Sequence, residues 1–162
     1  MNTKQHNQQK ILNEETLMST IARLRAFGKK IVFTNGCFDL LHTGHIHTLQ
    51  EAAALGDFLF VAVNSDASVS RLKGPTRPLN HEQNRAQILA ALSMVDGVMI
   101  FEEDTPLQLI KKIQPDVLVK GGDYRPDEIV GAKEVIAGGG EIAIMPFIEN
   151  ISTTQLIKKV IG

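Results

Sequence analysis

The chain has 162 residues, 43% hydrophobic and 22% charged, with a formal net charge of −1. Those values belong to an ordinary globular domain with enough chain to bury one core, and the near-zero charge excludes a global field drawing it to nucleic acid or an anionic membrane. A single cysteine, Cys37, excludes an intrachain disulfide, and no apolar run is long enough to span a bilayer.

In chain order, the polar opening Met1–Lys10 lacks both a signal-peptide core and apolar periodicity. It predicts a disordered tail over residues 1–12, followed by one domain over 13–162. A helix is expected from Glu14 to Phe27, stopped by Gly28. The β-branched run Lys30–Asn35 predicts a buried strand, and His42–Leu55 has the apolar spacing of a helix. Phe58–Val63 is the second strand. Arg71–Asn80 is basic and rich in breakers, so a loop is expected there, followed by a helix over His81–Leu92. Val98–Phe101 is the third strand, Leu107–Ile113 a helix and Asp116–Lys120 the fourth strand. A loop over Gly121–Pro126 leads to a helix from Glu128 to Ala137, then the fifth strand, Glu141–Met145. A last helix is expected to open at Ser152-Thr153-Thr154. Strands alternating with helices predict an α/β, doubly wound parallel sheet of about five strands with helices on both faces.

Ligands bind such sheets at the carboxyl ends of strands. The turn Asn35–His45 joins the first strand to a helix start, where unpaired N–H groups suit phosphate. His42 and His45 lie three apart there, and Gly44 between them lets a ligand approach the backbone. Spacing alone leaves three readings: imidazoles donating to phosphate oxygens, surface histidines on a helix cap, or a metal site with His47. Ser152, Thr153 and Thr154 exceed the one hydroxyl a helix cap needs, so two are free for an anion. Arg71, Lys73 and Arg77 suit either phosphate capture or a solvated loop. Lys120 and Asp123 end the fourth strand, beside Gly121 and Gly122. Cys37 reads as a small packed residue rather than a nucleophile. The sequence has no G-x-x-x-x-G-K-S/T loop and no G-x-G-x-x-G fingerprint.

Gly36-Cys37-Phe38-Asp39, His42-Thr43-Gly44-His45 and Ile151-Ser152-Thr153-Thr154 resemble the G-x-F-D, H-x-G-H and I-S-S/T-T elements of the cytidylyltransferase-like nucleotidyltransferases. Val63–Ser68, Arg71–Gly74, Arg77-Pro78, Phe101–Pro106 and Val119–Tyr124 are most similar to the adenylyltransferase domain of the heptose 1-phosphate enzymes of lipopolysaccharide precursor synthesis. The resemblance runs from about Leu17 to Ile161 and implies a Rossmann-like sheet and the form without a fused sugar kinase. It implies transfer of AMP from ATP to D-glycero-β-D-manno-heptose 1-phosphate, giving ADP-heptose and pyrophosphate. His42, His45 and Lys73 would be catalytic, with Lys73 on the attacking sugar phosphate. Cys37, Phe38, Gly44, Arg85, Asp123, Ser152, Thr153 and Thr154 would bind the nucleotide. Mg²⁺ would accompany ATP, with no protein ligand assigned and Asp39 the one carboxylate considered. The implied enzyme is cytoplasmic, works on small molecules rather than nucleic acid or membrane, and forms a homodimer or larger homo-oligomer. The stretch Phe147–Asn150 carries no basic residue where glycerol-phosphate cytidylyltransferases have an arginine; Lys158 or Lys159 stands one turn later. The competing expectations are a cytidylyltransferase for glycerol 3-phosphate or a similar alcohol phosphate, and a nucleotide-binding regulatory module without turnover.

Overall fold

The computed structural model describes residues 3–146 and residue 157. Five parallel strands make one sheet: β1 (Ile31–Gly36), β2 (Phe58–Asn64), β3 (Gly97–Phe101), β4 (Val117–Gly121) and β5 (Glu141–Met145). Their order is β3-β2-β1-β4-β5, with β1 hydrogen-bonded to both β2 and β4. Ile31, Val32 and Phe33 are all fully buried. Continuous rather than alternating apolarity is what a strand covered on both faces requires.

Two apolar cores flank the sheet. On one face Ile31, Phe33, Phe60 and Leu118 pack against α2 (Glu14–Ala26), α6 (Leu107–Ile113) and α7 (Ala132–Ala137). On the other, Val32, Val61, Val63 and Val119 pack against α3 (Thr43–Ala53) and α5 (Glu82–Ala90). Each large side chain so buried contributes about 1.5–3 kcal/mol. Strand order reverses between β1 and β4, so the turn after β1 and the end of β4 face each other across a crevice.

The expected doubly wound sheet is present, with three local differences. The segment expected as a disordered tail contains a helix, α1 (Thr3–Lys10), although nothing in its sequence is amphipathic. Lys10 Nζ donates to Leu92 O at 3.1 Å, and the Leu12 N–H donates to Val98 O at 2.8 Å, covering the edge of β3. Arg71–Lys73 are not loop but the last turn of α4 (Asp66–Lys73). Ser65 caps that helix, and Gly74 at φ +98° ends it. The helix expected from Glu128 is split into a 3₁₀ turn, Pro126–Glu128, and α7, because Gly131 takes φ +86°. The helix expected to open at Ser152 lies outside the described residues, apart from helical Ile157.

Candidate active site

The site starts with the turn after β1. Phe38 adopts φ +48°, a left-handed conformation that costs a bulky L-residue on the order of 1–2 kcal/mol. Its ring lies against His45, with centroids 5.4 Å apart. The turn is held in this form by Asp39, which is 2% exposed. The Asp39 carboxylate accepts from Arg77 Nε at 2.6 Å, and from the Leu79 and Asn80 N–H groups at 2.9 Å each. Burial raises the Asp39 pKa, but these donors together outweigh it and leave the group below its ordinary value. Asp39 is therefore committed to tethering the 77–80 segment, which explains the aspartate of the G-x-F-D element without a metal.

His42 caps α3, and its ring stacks on His45 with centroids 3.8 Å apart and planes inclined by 31°. A Cβ at Gly44 would lie 3.0 Å from the His42 ring, so the glycine makes room for that imidazole as well as for a ligand. Among the described residues, His42 Nδ1 is buried without a hydrogen-bond partner. A buried orphan acceptor or donor is costly unless a ligand or water satisfies it. His45 Nδ1 accepts from the His42 N–H at 3.4 Å. Burial, then the neighbouring charges of His42 and Lys73, push the His45 pKa down to about 4. Burial alone lowers that of His42. Both rings are neutral at pH 7, and the tautomer of His45 leaves its proton on Nε2. His47, by contrast, is exposed. Among the described residues no group of three His, Cys, Asp or Glu side chains could hold a metal.

Lys73, the exposed last residue of α4, is close enough for its charge to act on His45. Cys37 is half-buried, with Sγ 4.0 Å from Asn64 Oδ1. Arg85 was expected beside a phosphate, but the structure gives it different work. It is 1% exposed. Its Nη1 donates to Cys37 O at 2.6 Å and Asn64 O at 2.7 Å, its Nε to Asn80 O at 2.8 Å and its Nη2 to Asp66 Oδ1 at 2.8 Å. The guanidinium thus ties the ends of β1 and β2 to the 77–80 segment. Asp123 is exposed after β4 and does not line the cleft described next. Ser152, Thr153 and Thr154 lie outside the described residues.

Between the ends of β1 and β4 opens a cleft of about 310 Å³, lined among others by Asn35, Cys37, Asn64, Lys120 and Tyr124. Sequence reasoning missed Asn35, Asn64 and Tyr124; the only signal for the two asparagines was their place at carboxyl ends of parallel strands. The structure brings Cys37, Phe38, His42, Gly44, His45 and Lys73 to one side of the molecule. Paired neutral imidazoles at a helix start beside a lysine can donate to a polyphosphate without a formal charge on either ring.

Comparison with known proteins agrees with this geometry. The chain matches the cytidylyltransferase-like family model over residues 33–159. It is 53% identical over 152 residues to the bifunctional protein HldE of Vibrio cholerae, and 54% identical over 150 residues to that of Haemophilus influenzae. Those alignments cover 94% and 93% of this chain but 32% of each relative, so the chain spans about a third of the curated relatives it matches. Among solved structures, a lipopolysaccharide core biosynthesis protein from Thermoplasma volcanium superposes with a TM-score of 0.62 at 28% identity, covering 76% of this chain and 100% of that one. A pantoate-beta-alanine ligase from Francisella tularensis shares the fold, with a TM-score of 0.60 at 18% identity over 91% of this chain and 75% of its own. With the family model spanning most of the chain and the H-x-G-H histidines stacked at a helix start on the switch point of the sheet, the chain belongs to the cytidylyltransferase-like family and is a nucleotidyltransferase by class.

Proposed function

We propose that this domain transfers AMP from ATP to D-glycero-β-D-manno-heptose 1-phosphate, forming ADP-heptose and pyrophosphate. The observation that carries the reading is the His42–His45 pair at the start of α3, neutral and stacked, with one buried ring nitrogen unsatisfied among the described residues. The acceptor's phosphate oxygen attacks the α-phosphorus of ATP. The bond from that phosphorus to the bridging oxygen breaks, and pyrophosphate leaves with the electron pair. A phosphate oxygen is already anionic at neutral pH, so no side chain has to remove a proton or form a covalent intermediate.

The protein's contribution is position and charge. His45 Nε2–H and His42 donate to phosphate oxygens where charge builds, and the first N–H groups of α3 add to that field. Lys73 supplies a full positive charge beside them. Ser152, Thr153 and Thr154 are proposed to bind phosphates, and Asp123 to lie near the nucleotide. Mg²⁺ bound with ATP would neutralise charge on the phosphates; Asp39 is committed to the 77–80 segment and is assigned no part in holding it. ATP as donor places the reaction in the cytoplasm. No helix among the described residues is long and apolar enough to cross a membrane. A homodimer or larger homo-oligomer is the proposed assembly.

The test is incubation with MgATP and a panel of hexose and heptose 1-phosphates, with pyrophosphate release followed and products identified by mass. ADP-heptose formation supports the reading. Turnover with CTP and glycerol 3-phosphate instead, or ATP binding with no pyrophosphate from any acceptor, overturns it.

A further inference from the structure

We infer that Lys120 is the residue that grips the phosphate of the acceptor, and that the cleft between β1 and β4 is the acceptor's seat, leaving Lys73 to the triphosphate. The inference rests on the adenylyl-transfer reading above and reassigns one of its cations.

Lys120 stands at the end of β4 with its ammonium in the cleft wall. Its Nζ lies 3.3 Å from Asn35 Oδ1 and 5.8 Å from the centre of the Tyr124 ring. Neither carries a formal charge, and among the described residues no carboxylate comes within 4.0 Å of it. The two carboxylates on the cleft wall are engaged elsewhere. Asp104 accepts from Arg71 Nε at 2.7 Å, and Glu128 from the Arg125 N–H at 3.2 Å. A half-buried cation without a counter-ion is expensive, and it persists where an anion arrives to pair with it. Burial accordingly presses the Lys120 pKa below its ordinary value, while Cys37 opposes that shift.

The partner this position suits is a phosphate monoester dianion. One ammonium proton is already directed to Asn35, which leaves two donors for phosphate oxygens. Lys73 differs on each count: it is exposed, it does not line the cleft, and its charge is felt by His45. The two lysines therefore take different phosphates, Lys120 the nucleophile's and Lys73 the nucleotide's.

Lys120→Met and Lys120→Arg separate these roles. Steady-state kinetics should show Lys120→Met raising the KM for the sugar 1-phosphate by about 10- to 100-fold, the size of one lost charge-assisted hydrogen bond. Affinity for α,β-methylene-ATP, read by calorimetry, should stay within about twofold, and Lys120→Arg should recover most of the acceptor affinity. Lys120→Met should also melt no lower than the wild type, since it removes an uncompensated charge. Lys73→Met should show the reverse pattern, weakening the nucleotide. A second arm needs no turnover: mannose 1-phosphate is titrated into protein loaded with α,β-methylene-ATP. Binding to wild type and Lys120→Arg but not to Lys120→Met supports the assignment. Equal binding to all three, no binding to the wild type, or an unchanged acceptor KM in Lys120→Met overturns it. Binding that depends on Lys120 without any nucleotide-sugar product would sink the adenylyl-transfer reading and leave the anion site standing.

Discussion

His45 can serve as a donor because its other nitrogen is occupied. The His42 N–H points at Nδ1, so the ring proton sits on Nε2 while the ring stays neutral. Replacing it with alanine removes one transition-state donor, and kcat should fall about 100- to 1,000-fold. Steady-state assays with near-normal turnover in His45→Ala would take the ring out of the mechanism. The same environment has a cost in stability whose sign follows from linkage. The folded-state pKa is about 4 against 6.5 for an unperturbed histidine. Between those values the unfolded chain takes up a proton that the folded protein refuses, so stability falls as pH drops through that window. Below about 4 both states are protonated and the loss stops growing. Denaturant midpoints of wild type and His45→Gln should diverge, the wild type losing more, from pH 6.5 down to about 4. Solvent around the half-buried ring trims the size of the effect. Parallel curves across that window would show that the ring protonates freely in the folded state.

At the scale of elements, one arginine does what a run of apolar contacts would do elsewhere. Arg85 projects from α5 and satisfies the carbonyls of Cys37, Asn64 and Asn80 while pairing with Asp66. Arg85→Met would strip three carbonyls of their side-chain donor and take the paired charge from Asp66, which keeps only the Glu82 N–H and His81, a loss of about 3–5 kcal/mol by analogy with broken buried pairs. In a chain of this size that lowers Tm by roughly 6–20 °C. A melting curve superposable on the wild type would refute the tie. If Arg85 acted as a surface phosphate ligand instead, nucleotide affinity would drop with Tm unchanged. This residue shows where sequence reasoning failed. The family resemblance implied a phosphate ligand, and nothing local reveals that the neighbours of Arg85 in space are backbone carbonyls, two of them at strand ends. The boundaries of α4 and α7 failed for another reason. Gly74 and Gly131 at positive φ set them, and the sequence shows the glycines without showing which of them turn.

For the whole molecule, the sheet was readable because each parallel strand is a continuous apolar run bounded by turns, and strand–helix alternation leaves few topologies. The pairing of β1 with β4 fixes where the crevice lies, and five strands in sequence do not announce it. The histidine side of the site could be read from a short motif, since His42, Gly44 and His45 sit within one turn of α3. Asn35, Asn64, Lys120 and Tyr124 come from three different crossover ends and meet only in the fold. A site assembled from several strand ends in this way should couple ligand binding to global stability. With α,β-methylene-ATP at about 100 times its Kd, the folded state gains about 2.7 kcal/mol and Tm should rise by about 5–10 °C. If Ser152, Thr153 and Thr154 hold phosphates, converting all three to alanine weakens that binding and shrinks the rise at the same ligand concentration. The ligand-free Tm of the triple variant serves as the control. An undiminished thermal shift in the triple variant would confine nucleotide recognition to the His42–His45 side and leave the C-terminal hydroxyls without a part in it.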